Sequence, residues 1–174
     1  QIPLEGGLTA TGNIGDGTLD RIALNMRLPL DTLGVQGGRL TMSAQFDHTR
    51  VLDPTQNRKR SISGNRPFRG RIGFEQDLQQ LSMSWGINYN PYFRDTTYNP
   101  DQRRTRELRH NLQLFGEKVF TNGVVLRAEY THWDDFRAYR DTWSDRSTQA
   151  LTFREEQRLD PREFVQLRVR KTFG

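Results

Sequence analysis

The chain contains no cysteine, and this absence removes several classes of protein at once. Without thiolates there is neither a disulfide framework nor a zinc finger, and cysteine avoidance suits an oxidising compartment. The sequence also has no run near the roughly 18 consecutive apolar residues that a transmembrane helix requires, which excludes a helical membrane protein. The opening residues QIPLEGG lack the basic and apolar regions of a secretion signal, as expected of a mature chain or a fragment.

Hydrophobic residues are scarce as well. They make up only 33% of the 174 residues, which would give a soluble globular protein a thin core. The net charge of +5 is compatible with a nucleic-acid surface. However, the arginines recur in every segment and alternate with apolar residues, whereas a nucleic-acid binder concentrates them in one patch. We therefore expect no nucleic-acid partner.

Motifs for catalysis are missing too. The sequence has no G-x-S-x-G, no H-E-x-x-H and no P-loop, and GNIGDG has neither the spacing nor the preceding apolar strand of a dinucleotide site. The three histidines fall in different segments, and we interpret His110 and His132 as interfacial aromatic residues near strand ends. Asp47 and His48 are neighbours, so on a strand they point to opposite faces. These observations predict a protein that is not an enzyme and has no cofactor or metal.

What the sequence does contain is strict alternation of apolar and polar residues, repeated segment after segment. RLTMSAQFDH, LSMSWGINYN, RIALNMRLPL and GVVLRAEYTHW all follow this pattern, which predicts strands of an antiparallel sheet. The apolar side is expected to face lipid, and its leading candidates are Leu40, Met42, Phe46, Leu81, Met83, Trp85 and Leu126.

The polar side of these strands carries large ionised residues, so that face must be wet. No segment has convincing helical periodicity, and the apolar side thus lacks an internal partner; lipid is the natural one. The predicted fold is therefore all-β, an antiparallel transmembrane β-barrel of about eight meandering strands. Residues expected to face the lumen are Arg27, Arg71, Glu75, Arg109, Arg127, Glu129, Arg168 and Arg170.

The lengths of the connections give an independent test. Tight links near Gly34, Gln79 and Asn122 alternate with longer ones such as VLDPTQNRKRSISGNRP and RDTTYNPDQRRT, as in barrels with short periplasmic turns and long extracellular loops. This count takes Leu4–Asn13 as the first ascending strand. We interpret STQALTFREEQRLDP as an extracellular extension of the last strand, interrupted by a bend near Asp160 and Pro161.

Two stretches resemble a known family. The end of the chain is similar to the terminal strand of bacterial outer-membrane barrels, whose assembly signal is alternating apolar residues closing on an aromatic. The segment from LPLDTLGVQGG to RIGFEQDL resembles the C-terminal barrel region of TonB-dependent receptors, with an Asp-Pro loop, a basic run and an S-G-x-x-P step. The residues that carry these resemblances are Val165, Leu167, Val169 and Phe173 for the signal, and Asp53, Pro54, Arg58, Lys59, Arg60, Ser63, Gly64 and Pro67 for the loop.

The resemblance implies a location in the bacterial outer membrane and the import of a scarce nutrient such as a ferric siderophore, cobalamin or carbohydrate. Receptors of this family have a TonB box and a plug domain ahead of a barrel of about 22 strands. Residues 1–174 are therefore expected to form a single barrel region, the last third of such a receptor, whose partners are the rest of the barrel, the plug, TonB through the N-terminal region, and the surrounding lipid and lipopolysaccharide.

Other interpretations of the residues stay open. Eight strands are enough for a self-contained outer-membrane barrel with a structural or surface-binding role, and a soluble β-barrel binding module results if the apolar side turns inward. The run Arg58-Lys59-Arg60 is expected to contact lipopolysaccharide phosphates or to form a solvated loop. The pairs Asp134-Asp135 and Glu155-Glu156 offer oxygen ligands for calcium, although solvated loop charge explains them better.

Overall fold

The structure, a computed structural model, describes residues 14–54, 56–145 and 148–171 together with the short segments Ile2–Pro3 and Thr9–Ala10. The described chain is all-β and antiparallel, as the alternation predicts. Its strands are β1 (Ile2–Pro3), β2 (Thr9–Ala10), β3 (Gly17–Pro29), β4 (Gly38–Asp53), β5 (Arg58–Arg60), β6 (Phe68–Leu78), β7 (Met83–Asn90), β8 (Phe93–Asn99), β9 (Gln102–Leu108), β10 (Asn111–Val119), β11 (Val124–Trp133), β12 (Phe136–Trp143), β13 (Leu151–Leu159) and β14 (Phe164–Lys171).

Eight of these strands form a long sheet with the spatial order β14-β11-β10-β7-β6-β4-β3, in which β5 also pairs with β4. Neighbours in this order are antiparallel, and three of the six neighbouring pairs, β3–β4, β6–β7 and β10–β11, are joined by a tight turn. Within the described residues the sheet is open, with β3 at one edge and β14 at the other. The predicted first strand, Leu4–Asn13, falls largely outside the described residues.

A second sheet of four strands has the order β13-β12-β9-β8. Each of its strands adjoins a strand of the long sheet along the chain, and the four interruptions lie at residues 91–92, 109–110, 134–135 and 160–163. Two of these breaks contain Pro91 and Pro161, which cannot donate to a strand ladder. The predicted bend near Asp160 and Pro161 is therefore confirmed, with β13 preceding β14.

The segment RDTTYNPDQRRT, expected to be a long loop, is instead a hairpin of β8 and β9, and residues 136–143 form a further strand that the sequence analysis did not identify. That prediction was wrong for a physical reason. Both faces of these strands are polar, so the alternation that reveals a half-buried strand is absent. Cross-strand pairs of arginine and aspartate take the place of apolar contacts there.

The three tight links predicted at Gly34, Gln79 and Asn122 lie together at one end of the long sheet. The Asp77 amide donates to the Gly37 carbonyl at 3.0 Å, and the Val119 amide donates to the Ser82 carbonyl at 2.9 Å, so successive turns are in contact. Each turn uses a residue with positive φ: Gly34 at 84°, Ser82 at 46° and Gly123 at 75°. The predicted common side of the short links is confirmed.

The opposite end of the long sheet is tied to the second sheet by the loop that follows β5. The Gly64 amide donates to the Thr96 carbonyl at 2.9 Å, and the Tyr98 amide donates to the Ser63 hydroxyl at 3.0 Å. These bonds use backbone groups on the outer edge of β8. The S-G-x-x-P step noted in the sequence therefore covers an edge that would otherwise be unpaired.

The distribution of buried residues is the reverse of that in a soluble domain. Val51 and Ala138 are the buried hydrophobic residues of the described chain. Buried polar and charged residues outnumber them: Asp47, Thr49, Asp53, Asp95, Thr105, Asn111, Thr131 and Asp141. Large apolar side chains are largely exposed, so no conventional hydrophobic core holds the described residues together.

Candidate functional site

The apolar face of the long sheet is continuous. Directly opposed residues of antiparallel strands point to the same side, so the register defines rows of side chains that cross the sheet. One such row contains an apolar or aromatic residue in every one of seven strands. Its members are Leu28, Leu40, Phe74, Ile87, Leu114, Tyr130 and Val165.

This face is open to the surroundings. Ile22 is 73% exposed on β3, Phe46 is 54% exposed on β4 and Leu167 is 70% exposed on β14. Exposed apolar surface of this extent marks a site of contact with another protein or with lipid. Six of the predicted lipid-facing residues lie here, namely Leu40, Met42, Phe46, Met83, Trp85 and Leu126. Contact of these residues with lipid stays a prediction.

Leu81 does not lie on a strand, contrary to the prediction. It ends the 3-10 turn Gln79–Leu81, and β7 begins only at Met83. The alternation in LSMSWGINYN continues smoothly through Leu81, but Ser82 adopts a left-handed conformation with φ of 46° and breaks the extended backbone. Leu81 is nevertheless 55% exposed at the turn end of the sheet.

The apolar face has a limit at each end. At the turn end, Lys118 and Lys171 lie opposite Leu126 and Val124, respectively. At the other end the apolar character runs past the strand breaks to a row in the second sheet made of Phe93, Leu108, Phe136 and Leu159. The chain from Leu126 to Phe136, which includes the break at residues 134–135, is about as long as the roughly 9–11 residues with which a tilted strand crosses a bilayer.

The opposite face of the long sheet is polar. The register places seven of the predicted lumen-facing residues on this face: Arg27, Arg71, Glu75, Arg127, Glu129, Arg168 and Arg170. Arg109 is the exception, because it lies at the break between β9 and β10 and belongs to neither ladder. The break lies where the β8–β9 hairpin is followed by the β10–β11 hairpin, and no feature of the local sequence predicts it.

Ion pairs connect neighbouring strands across this polar face. Arg39 donates to Glu75 at 2.6 Å, and Arg21 donates to both oxygens of Asp47 at 2.8 and 3.1 Å. Arg127 donates to Glu129 and lies 3.5 Å from Glu117, and its guanidinium stacks 4.2 Å from the centroid of Phe115. Asp47, Glu75 and Glu117 thus bind arginines on adjacent strands, and these pairs favour the observed register.

The second sheet is held by similar pairs on both faces. Arg106 binds Asp95 through two hydrogen bonds of 2.9 and 2.7 Å, and Asp95 is only 2% exposed. Asp141 accepts from Arg154 at 2.6 Å and from Arg103 at 2.7 Å. The hydrogen bond from Arg154 holds the pKa of the Asp141 carboxyl below its ordinary value.

The basic run Arg58-Lys59-Arg60 is a short strand whose side chains alternate between faces. Arg60 forms a 2.5 Å ion pair with Asp53, and its guanidinium lies 4.5 Å from the centroid of the Tyr98 ring. These contacts stabilise the loop. Lys59 lies opposite Leu52, on the same face as the apolar residues of β4. The three charges therefore do not all lie on one face, and contact of Arg58, Lys59 and Arg60 with lipopolysaccharide stays a prediction.

Two histidines lie side by side where the long sheet adjoins the second sheet, and the sequence analysis did not identify this pairing. The ring of His110 lies 5.8 Å from that of His132 and 6.0 Å from that of Tyr89. His110 Nδ1 is 3.0 Å from Asp134, and His132 Nδ1 is 3.4 Å from Glu163. Residues so far apart along the chain carry no joint signal in sequence, because only the strand register brings them together. The interfacial role of these histidines stays a prediction.

One carboxylate of each acidic pair, Asp135 and Glu155, binds arginine. Asp135 binds Arg158 at 2.6 Å and Arg137 at 3.3 Å, and Glu155 binds Arg140 at 3.3 Å. Among the described residues no group of three or more histidine, cysteine or carboxylate side chains is arranged to hold a metal ion. In the same part of the chain, no helix has the length and apolar character needed to cross a membrane.

The proposed assembly signal lies on the outermost strand of the long sheet. Val165, Leu167 and Val169 are each more than two-thirds exposed on the apolar face of β14, opposite Tyr130, Ala128 and Leu126. Their alternation is thus present in the structure. Phe173, the aromatic residue expected to close the signal, lies outside the described residues.

Comparison of the chain with known protein families, with characterised proteins and with solved structures gives no significant match.

Proposed function

We propose that this chain forms part of the wall of a bacterial outer-membrane β-barrel, in a TonB-dependent receptor that imports a scarce nutrient. The observation that carries the proposal is the reversed burial pattern. An exposed apolar face spans seven strands, while carboxylates such as Asp47 and Asp95 are buried in ion pairs. An apolar face of this size is unfavourable in water. In a barrel wall the apolar face meets hydrocarbon on the outside and the polar face meets water on the inside, so both faces are stable at once.

In this arrangement each part of the molecule has a task. The apolar face meets lipid, the polar face lines the passage and contacts a plug domain, and the tight turns lie on the periplasmic side. The four-stranded sheet stands beyond the Phe93 row on the extracellular side, where its charged faces are solvated and its hairpins help to capture the ligand. The open edges at β3 and β14 pair with further strands of the barrel.

Insertion into a bilayer is tested with tryptophan fluorescence. Trp133→Phe and Trp143→Phe leave Trp85, on the apolar face, as the single tryptophan of the three. Brominated lipids should quench its emission strongly in reconstituted vesicles. The matched control moves the fluorophore by one residue to the polar face with Trp85→Phe and Ser84→Trp, and quenching there should be weak. Equal quenching at both positions, or a monodisperse folded protein without any amphiphile, contradicts the proposal.

The receptor is distinguished from a small closed barrel by the DNA upstream of the Gln1 codon. A receptor requires several hundred further codons that encode a plug and additional strands, whereas a small barrel requires only a secretion signal. A signal sequence directly before Gln1 would contradict the receptor proposal and leave the membrane placement intact. The soluble module, in which the apolar face turns inward, is tested by the fluorescence experiment.

A further inference from the structure

A depression of about 480 Å³ lies on the polar face of the long sheet, between β3 and β10. Side chains with hydroxyl, amide and guanidinium groups surround it. These donor groups belong to Asn25, Arg27, Thr41, Ser43, Arg71 and Asn88. Phe115 forms an apolar wall on one side.

Two glycines allow neighbouring side chains to pack closely against the sheet beside the depression. A Cβ atom on Gly73 would lie 2.8 Å from the Thr41 hydroxyl and 2.9 Å from the Asn88 amide oxygen. At Gly86 it would lie 2.6 Å from the ring of Phe115 and 2.6 Å from the Phe74 carbonyl oxygen. Because neither glycine carries a side chain, the polar ends of Thr41 and Asn88 come close together over β6, and the ring of Phe115 lies against β7.

The arginines of this depression differ from their neighbours. Arg71 donates to the Asn88 amide oxygen at 3.0 Å, and neither Arg71 nor Arg27 forms an ion pair with a carboxylate of the described residues. One carboxylate, that of Glu75, also lines the depression, and Arg39 binds it at 2.6 Å. Elsewhere on this face Asp47 and Glu129 bind Arg21 and Arg127, respectively. The depression therefore has a surplus of positive charge.

We propose that this depression binds a small hydroxylated carboxylate. Guanidinium groups bind carboxylates and phosphates through parallel hydrogen bonds, so Arg27 and Arg71 supply the charge. The hydroxyl groups of Thr41 and Ser43 and the amides of Asn25 and Asn88 both donate and accept, as a polyhydroxylated solute requires. The role of this site in uptake rests on the proposed function, because only a barrel wall places this face along the passage. Binding of the ligand to the depression does not depend on that function.

Titration of the chain refolded in detergent micelles tests the site. Calorimetry at fixed ionic strength uses tartrate and inorganic phosphate as probes and sodium chloride as the blank. Tartrate should bind saturably and more tightly than phosphate. Arg71→Gln and Arg27→Gln should each weaken tartrate binding by about tenfold or more, since each removes a charge-assisted hydrogen bond. The control Arg168→Gln removes an arginine of the same face outside the depression and should leave binding within about twofold.

A pair of glycine variants tests the shape of the site without changing charge. Gly73→Ala places a methyl group between Thr41 and Asn88 and should weaken tartrate binding by about tenfold, as expected for an over-filled site. Gly116→Ala is the matched control, because a Cβ atom there meets nothing within 4 Å. Heat-modified migration in electrophoresis shows whether each variant is folded, and only folded variants are compared.

Several outcomes would overturn the inference. The first is the absence of saturable tartrate binding by the folded wild-type chain. The second is a loss of binding in Arg168→Gln equal to that in Arg71→Gln and Arg27→Gln. The third is tighter binding of an oligoglutamate peptide than of tartrate, which would assign the surface to a polypeptide partner. A chain that binds tartrate but shows no lipid quenching of Trp85 would retain the site and reject the proposed membrane function. The two proposals therefore fail separately.

Discussion

The carboxylate of Asp141 accepts a 2.6 Å hydrogen bond from the guanidinium of Arg154 across the β12–β13 ladder. Arg103, on the other neighbouring strand, donates to the second oxygen at 2.7 Å, so one carboxylate joins three strands. Asp141 is 3% exposed, whereas both arginines keep about half of their surface in contact with solvent. In a sheet whose faces are mostly polar beyond the Phe93 row, such pairs hold neighbouring strands together where apolar packing is absent.

The first prediction concerns the pH dependence of this contact. Because the pKa of Asp141 is lowered in the folded state, its ionised form stabilises the fold above the ordinary carboxyl pKa. That contribution is lost as the pH falls through the lowered value. Asp141→Asn should therefore reduce the free energy of unfolding at pH 7 by about 1–3 kcal/mol.

The difference between Asp141→Asn and the wild type should shrink as the pH drops below about 4, where the carboxyl of the unfolded chain takes up a proton, and it should vanish below the lowered pKa of the folded state. Urea unfolding of the chain refolded in micelles, followed by circular dichroism at pH 7 and pH 3, measures both values. A difference in stability that is the same at both pH values would show that the ionised carboxylate is not responsible.

The second prediction concerns the bidentate ion pair between Arg106 and Asp95. Lysine keeps the charge but cannot form two parallel hydrogen bonds, so Arg106→Lys should lower the free energy of unfolding by about 1–2 kcal/mol. Arg94→Lys is the matched control on the adjacent strand, because the Arg94–Glu107 pair is longer, at 3.3 Å, and more exposed. Its effect should stay within about 0.5 kcal/mol. Equal effects of the two variants in urea unfolding would contradict the assignment.

The third prediction concerns the middle row of the apolar face. Leu114→Arg places a charge where the bilayer centre is expected and should reduce stability in vesicles by about 2–4 kcal/mol. Gln113→Arg, one residue earlier and on the polar face, should have little effect. Reversible unfolding from vesicles by guanidinium chloride measures the difference. If Gln113→Arg proves the more damaging of the two, the assignment of the faces is reversed.

The fourth prediction separates two glycines of the first tight turn. Gly34 and Gly37 both have positive φ, at 84° and 68°, so alanine is strained at either position. A Cβ atom on Gly37 would also lie 2.2 Å from the carbonyl oxygen of Asp77, whereas one on Gly34 meets nothing within 4 Å. Gly37→Ala should therefore be less stable than Gly34→Ala by about 1–3 kcal/mol in urea unfolding. Equal losses would mean that backbone strain alone governs this turn.

Local pattern was enough to predict most of the long sheet. The alternation that separates Leu40 and Met42 from Thr41 and Ser43 is a property of neighbouring residues, and the two faces of a strand follow from it directly. The tight turns were equally readable, because glycine at Gly34 and Gly123 supplies the positive φ that they need. The hairpin of β8 and β9 escaped prediction because arginine and aspartate alternate there with other polar residues.

By itself, then, the sequence determined that the chain is antiparallel β, which side of each strand is apolar, and where the short turns fall. These features follow from the two-residue period of a strand and from the backbone freedom of glycine. Only the tertiary structure decided which charges meet. The pairing of Asp53 with Arg60, the meeting of His110 with His132 and the depression beside Arg71 all depend on register between strands, which the sequence fixes only through cooperative packing of the whole sheet.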